Sequence, residues 1–577
     1  MEWQVEYEKW KQFEGLDQEL RRQLDEMERV CRQLVNCFSD ELKFGLDGMH
    51  GKLGPGPNRI NKYNVRKVAE GLAQYMKEKS IYDRVRGVVI AYDSQNQSAE
   101  FALEAAKTIG LHGIPIYFFD QSSPIPVLSF ATRYLNAYAG IVFTTNNDLA
   151  DYLEVKVYGA DGAQLRTKEA TKLMEQVDKI QNALDVEVAN VPELTLINLI
   201  TSLGDEVDQA YLAELQKIVV NPAVISENDL CIVYTSSNGS TKKLIKPALS
   251  SIGFINIHEY EEASVSDASF SSISSNSALV KYMAGYGNEV RADMLLMIAP
   301  EGGRLRVAIK DGSSEYQLLS SNQLAVLILH YIISQMQTKG ELPRHGTIVK
   351  TLVTSELGRE IALTFGLKTI DTLNGFKYIG EKVNELAHAT EHRFLFGYDA
   401  CNGYLISDFV RDQDGMQAAI LIAEVAAFYK SKDMTLYDAQ LELFDTYGYF
   451  LEDVATFVPG EQDQKTYMDE VYRYFRVANE QAKLANQLIS EVEDYRARER
   501  IFVQKRKSES IQLPMANILK VKLLNESWFC IVESDEEAAL CIYLGVKATG
   551  RFEGERMLSE LRDNVIDCLK QFQKVTV

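Results

Sequence analysis

From Gly45 onward the chain alternates short apolar runs with longer stretches whose apolar residues recur at helical spacing. Val88-Val89-Ile90-Ala91, Ile114-Pro115-Ile116-Tyr117-Phe118 and Gly140-Ile141-Val142-Phe143 are runs of the first kind, and Ser98 to Ile109 is a stretch of the second. This alternation predicts βαβ units around a largely parallel sheet. It restarts at Leu230-Cys231-Ile232-Val233-Tyr234, with Met294 to Ile298 in the same unit, and again at Gly346 to Lys350. Before Gly45, Trp10, Phe13, Leu20, Leu24, Met27 and Leu34 recur at roughly helical spacing, which predicts a charged helix over residues 1–40 packed on the first domain. Tyr467 to Arg500 predicts a long polar connecting helix. From Ile518 strands mix with a final helix, Glu553 to Phe572, as in a smaller α+β domain. The serine-rich patch Ser264 to Ser277 predicts a loop or exposed turn.

A chain of 577 residues exceeds what one hydrophobic core supports. The pattern divides it into a first α/β domain (1–205), a second (206–322), a third (323–460), and a helical connector with a smaller α+β domain (461–577). With 46% hydrophobic and 10% aromatic residues the composition is that of a folded protein. The net charge of -21 argues against a nucleic-acid or anionic-membrane partner, since both select a basic footprint. No run of 18 apolar residues is present to span a bilayer, and the charged start MEWQVEYEKWKQFEG lacks the apolar segment of a signal peptide. The seven cysteines include no Cys-x-x-Cys pair. A cytoplasmic location with reduced thiols is therefore expected.

Ordered motifs add an identity to this layout. Phe44-Gly45-Leu46-Asp47-Gly48-Met49-His50-Gly51 followed by Gly54-Pro55-Gly56-Pro57-Asn58-Arg59-Ile60-Asn61 resembles the FGTxGxRG…GxxxNRMN opening of the α-D-phosphohexomutases. Lys156-Val157-Tyr158-Gly159 with Asp161-Gly162-Ala163-Gln164 resembles their KVYGxDGxQ. Leu373 to Gly380 resembles TLTGFKxIG, and Phe394 to Gly397 with Asp408 to Gly415 resembles FxFGxEES and FVRDKDG. The resemblance runs in order from Phe44 to Gly415 and is closest to the long bacterial phosphoglucomutase/phosphomannomutase branch. It implies a four-domain architecture of three similar mixed α/β domains plus a smaller C-terminal α+β domain.

The same resemblance implies a phosphoserine, a Mg²⁺ site, a sugar loop and a phosphate loop. The serine loop T-A-S-H-N-P is Thr144-Thr145-Asn146-Asn147-Asp148-Leu149 here. Asn146 stands at the nucleophile position, where a carboxamide forms no phosphoester. Thr145 lies one residue too early for in-line transfer, and Asn147 replaces a histidine. The metal loop D-P-D-A-D-R is Ala299-Pro300-Glu301-Gly302-Gly303-Arg304, so two of three carboxylates are missing at Ala299 and Gly303. Bound Mg²⁺ is not expected. In the sugar loop Gly397-Tyr398-Asp399-Ala400-Cys401-Asn402-Gly403, the first acid is shortened and cysteine replaces serine; an inert free thiol is expected at Cys401. The phosphate loop R-P-S-G-T-E-P-K is Val532 to Ala539, which carries four carboxylates and neither basic residue. His50 and Asp93 to Ser98 each lack an arginine found in the family, and His50 reads as a benign loop residue.

All four loops have lost the groups their chemistry uses, while the flanking strings remain. The expectation is a non-catalytic phosphoglucomutase-like protein with a regulatory or protein-interaction role, an active mutase being one candidate partner. Two alternatives stay open. One is a sugar or sugar-phosphate sensor using residual contacts from Arg304, Lys377, Asp399, Asn402, Arg411 and Ser534. The other is an active phosphoglucomutase/phosphomannomutase with atypical residues.

Overall fold

In this computed structural model one strand arrangement is built three times over. The structure describes residues 2–573 except 28–30, 96, 145–150, 193–197, 227, 237–238, 262–272, 390–391, 461–463 and 534–538. In the first sheet Val88–Tyr92 lies between two parallel neighbours, Ile116–Phe119 and Ala139–Thr144, and the chain then folds back in antiparallel Tyr152–Gly159. Met49–Lys52 and Ile200–Leu203 complete its six strands. In the second, Ile232–Thr235 pairs in parallel with Ile257–Glu259 and Met294–Ile298, and Leu305–Lys310 folds back. In the third, Gly346–Thr351 pairs in parallel with Lys368–Thr372 and Arg393–Tyr398, and Tyr404–Leu405 folds back. Ala139–Thr144 and Met294–Ile298, inside the first two sheets, are buried along their whole length. That is why they read as unbroken apolar runs rather than as an alternation.

The fourth sheet is antiparallel, runs from Tyr449–Phe457 through Leu540–Ala548 to Lys507–Ser510, and packs beneath the helix Arg551–Lys570. The α/β class and the four-part layout therefore agree with the sequence pattern. Tyr449–Phe457, on the third-domain side of the expected boundary at 460, pairs along its whole length with the fourth sheet.

Three expectations need correction. Residues 1–40 form not one helix but three, Glu2–Gln12, Gln18–Met27 and Cys31–Phe38. Gly15 and Asp17 break the first, and the pieces fold over the first domain through Trp10, whose ring meets Phe38 and Tyr63 edge-on. The long polar connector over 467–500 is a helix only across Gln464–Arg476; strands Gln487–Asp494 and Glu499–Phe502 follow. The apolar face of that helix, Tyr467, Met468, Val471 and Phe475, is buried in the fourth core, so it packs rather than connects. Part of the serine-rich patch belongs to the helix Ile273–Glu289, and the rest of it lies outside the described residues.

The first three domains share a continuous core around the helix Gly415–Lys430, which is buried on nearly every side. Asp414 caps it, accepting from the N–H groups of Met416 and Gln417. Its carboxyl also accepts from the Tyr211 hydroxyl at 2.8 Å.

Candidate functional site

In each repeated sheet the last parallel strand is followed by an antiparallel one, and the residues between the two in sequence are 145–151, 299–304 and 399–403, so one topological position supplies three of the four loops singled out in the sequence. The fourth, 534–539, joins Trp528–Glu533 to Leu540–Ala548 in the last sheet. Thr145, Asn146, Asn147 and Ser534 lie outside the described residues; the turns at 299 and 399 are fully described.

The 299–304 turn is closed by its own backbone, with Gly302 N–H donating to Ala299 O and Ala299 N–H to Arg304 O. It is clamped from outside by Ile125 N–H on Glu301 O and by the Ser240 hydroxyl on Pro300 O. The Glu301 side chain is buried, and its Oε1 accepts from Arg304 Nε at 2.8 Å. Its other oxygen has no hydrogen-bond partner. Burial pulls the Arg304 guanidinium toward deprotonation, but Glu301, and beyond it Asp399, more than reverse this and hold it charged. Leu305 N–H donates to Asn402 O, so this turn and the 399–403 turn are bonded to each other.

In the second turn Asp399 is turned inward, and its Oδ1 accepts the N–H groups of Cys401 and Gly403 at 2.8 and 2.9 Å. Burial pushes its carboxyl up to about 6 against the pull of those two donors. Asn402 holds left-handed backbone, φ +66°, and its N–H donates to Ser321 Oγ. Lys377 reaches across from the third domain to Asp47 in the first, at 2.5 Å. Arg411 is buried, bonds Asp408 through carbonyl and carboxylate, and is held down to about 10 by burial and by Arg133 beside it. Its N–H donates to Ser129 Oγ in the first domain, which makes it a joint residue between domains. His50 sits in the strand Met49–Lys52 rather than in a loop.

Sequence reasoning missed Lys156. Residues 154 and 156 share a face of their strand, and the Lys156 ammonium meets the Glu154 carboxylate at 2.5 Å. Burial lowers its pKa, but Glu154 first, then Asp412 and Glu301, more than compensate and raise it. The period-two spacing of the two residues was the available signal. Also missed was the bonding between retained strings. Tyr158 donates to Asp412 Oδ2 at 2.7 Å and Gln164 to the same oxygen at 2.9 Å, which ties the 156–164 string to the 408–415 string.

The sequence from 41 to 184 matches the phosphoglucomutase/phosphomannomutase alpha/beta/alpha domain I, 209–312 matches domain II, and 320–447 matches domain III. The chain belongs to the phosphoglucomutase/phosphomannomutase family. Relatives named phosphoglucomutase include one from Staphylococcus epidermidis, 31% identical over 511 residues, covering 88% of this chain and 90% of the relative. Another, from Staphylococcus haemolyticus, is 29% identical over 517 residues, 88% of this chain and 91% of the relative. Among solved structures, a putative phosphomannomutase from Thermus thermophilus shares the fold at TM-score 0.66 and 17% identity, over 92% of this chain and 99% of its own. The parafusin phosphoglucomutase of Paramecium does so at TM-score 0.66 and 12% identity, over 93% and 98%.

The Mg²⁺ that this family implies meets a donor set that does not fit it. Ala299 and Gly303 offer no side-chain oxygen, and the remaining carboxylate is engaged by a guanidinium. Mg²⁺ requires octahedral oxygen ligation and sheds water reluctantly. The Lys156 ammonium is close enough to Glu301 to be raised by it, and adds like-charge repulsion against a divalent cation. Among the described residues no cluster of three or more His, Cys, Asp or Glu side chains suits a metal. No helix among the described residues is long and apolar enough to cross a membrane.

Proposed function

We propose that this protein is a non-catalytic member of the phosphoglucomutase/phosphomannomutase family, kept for a regulatory or protein-binding role. The observation that carries this reading is the buried 2.8 Å Glu301–Arg304 pair, which neutralises internally the one carboxylate left where three would gather a cation. Asn146 at the nucleophile position supports it from sequence, because an amide cannot form and release a phosphoester. The sugar-phosphate sensing alternative draws little from the geometry. Lys377 is committed to Asp47, Arg411 to Asp408, and one Asp399 oxygen to two backbone donors.

The names of the relatives favour a second reading, phosphoglucomutase turnover by this chain, over the first. Enzymes so named align across almost its whole length. One assay separates the two: conversion of glucose 1-phosphate to glucose 6-phosphate with Mg²⁺ and glucose 1,6-bisphosphate, on highly purified protein. The non-catalytic reading expects no detectable rate. A turnover within about a hundredfold of the 1–10³ s⁻¹ range of ordinary enzymes would overturn it.

A further inference from the structure

The third sheet has a second opening at the end away from its hairpin turn. A cavity of about 620 Å³ lies beneath the first residues of Gly346–Thr351 and Arg393–Tyr398. Six residues of extended strand put it roughly 20 Å from Asp399, on the opposite edge of the sheet. Its rim carries Lys217, Arg344, His345, His392 and Arg393. Lys217 is paired with Glu214 at 2.6 Å. Among the described residues neither Arg344 nor Arg393 has a carboxylate partner. The His392 and His345 rings meet edge-on with centroids 5.9 Å apart, and His392 Nδ1 is buried with no hydrogen-bond partner. Asp408 is on the wall, but its carboxylate is engaged by Arg411 at 3.1 Å.

In a chain with 82 acidic against 61 basic residues, two arginines without a carboxylate partner among the described residues are a concentration of positive charge that the fold itself does not use, and the histidine pair adds ring nitrogens beside them. The floor is different in kind: Ile218, Ile332, Met336, Phe394 and Leu395 line it. Cationic donors at the mouth over an apolar floor, in a volume typical of small-molecule sites, suit an anion that carries an apolar planar body. The guanidinium fork matches phosphate oxygens pairwise. The half-buried Phe394 ring offers a face on which a base can stack.

We propose that this cavity binds a nucleotide, its phosphate held by Arg344 and Arg393 and its base lodged against Phe394 and Met336. The site is independent of whether the chain turns over sugar phosphates, since no residue of the 299–304 or 399–403 turns lines it. Isothermal titration of the full chain with AMP, and separately with inorganic phosphate, both without metal, tests it. Saturable one-to-one AMP binding is expected, with phosphate at least about tenfold weaker. The pair Arg344→Gln and Arg393→Gln should weaken AMP about tenfold or more. Phe394→Ala should weaken AMP and leave phosphate unchanged. Lys570→Gln, exposed at the end of the helix Arg551–Lys570 in the fourth domain, should change neither. Both arginines are exposed, so the pair is expected to fold, and circular dichroism checks this. No AMP binding at millimolar concentration, or binding that the arginine pair leaves unaltered, overturns the proposal. Phosphate binding as tightly as AMP overturns the nucleotide assignment.

Discussion

Glu301→Ala separates a structural role for the 299–304 turn from a metal-ligating one. In the folded protein Glu301 is 5% exposed and its carboxylate lies 2.8 Å from Arg304, whose own side chain is 18% exposed. Removing the carboxylate leaves a guanidinium in a site that had been neutral. Breaking one side of a buried pair costs about 3–5 kcal/mol. Arg304 makes further contacts and feels Asp399 nearby, so the low end, about 3 kcal/mol, is expected. The turn also fastens the second domain to the first through Ile125 and to the third through Asn402, so the loss should appear in the first unfolding transition. With four sheets two-state behaviour is not assumed, and the quantity read is the shift of that transition in urea. The measurement is made with EDTA and with 5 mM Mg²⁺. A ligand bound a hundredfold below its concentration stabilises by about 2.7 kcal/mol. If Glu301 held Mg²⁺, wild type would gain about that much and Glu301→Ala would gain none. The pairing argument instead expects no Mg²⁺ effect on wild type and the same loss in both buffers. A loss confined to the Mg²⁺ buffer would refute it.

Three other perturbations follow from the packing. Glu493 is buried between Lys522 at 3.1 Å and Arg500 at 2.9 Å, and despite burial Lys522, Lys520 and Arg500 draw its pKa down to about 2. A depressed folded pKa means stabilisation that is present above about pH 4.5 and lost as pH falls toward 2. Glu493→Gln should therefore cost about 2–3 kcal/mol at pH 7, and in denaturation curves that difference from wild type should shrink below pH 4.5 and vanish only at pH 2 and below. Gly302 holds φ +83°, and a Cβ there would lie 2.6 Å from Pro124 Cβ and 2.8 Å from Thr241 Cγ2, so Gly302→Ala should cost about 2–3 kcal/mol of stability, read as a lower urea midpoint. Trp10→Ala removes a side chain 1% exposed between Phe38 and Tyr63; a loss of about 3 kcal/mol in the first domain, read by local hydrogen exchange, is expected if the amino-terminal helices belong to its core.

The α/β units were legible because strands buried on both faces leave unbroken apolar runs, as at Val88–Tyr92 and Met294–Ile298. The amino-terminal region was misjudged because helical spacing persists across Gly15 and Asp17, where the chain turns and starts a new helix. The 487–502 strands were hidden because their half-buried charges Glu491, Glu499 and Arg500, with Arg496 and Arg498 in the turn between them, read as a polar helix when pairing across the sheet is invisible. For the candidate site, the altered side chains could be read directly. Their new partners could not. Tyr158 with Asp412 spans 254 positions and Lys377 with Asp47 spans 330, separations that no local pattern encodes.

Those long-range bonds explain why the scaffold strings keep their form while the turn tips do not. Tyr158, Gln164, Asp412 and Asp414 hold domains together with buried hydrogen bonds, and losing any of them leaves a polar partner stranded. The described turn tips at 299–304 and 399–403 are bonded mainly within themselves and to each other. The 299–304 tip carries glycine at 302 and 303, and both positions are tightly surrounded. The alanine that the resembled metal turn D-P-D-A-D-R would place at 302 meets Pro124 and Thr241, and a side chain at 303 begins 2.8 Å from Gln413 Nε2. Gly415 N–H meanwhile donates to Gly302 O, locking the compact form to the cap of the central helix. Restoring carboxylates by substitution alone would therefore require Gln413 to move to admit a side chain at 303. The missing carboxylates at 299 and 303 and the tight space around 302 and 303 both count against a cation site at this turn.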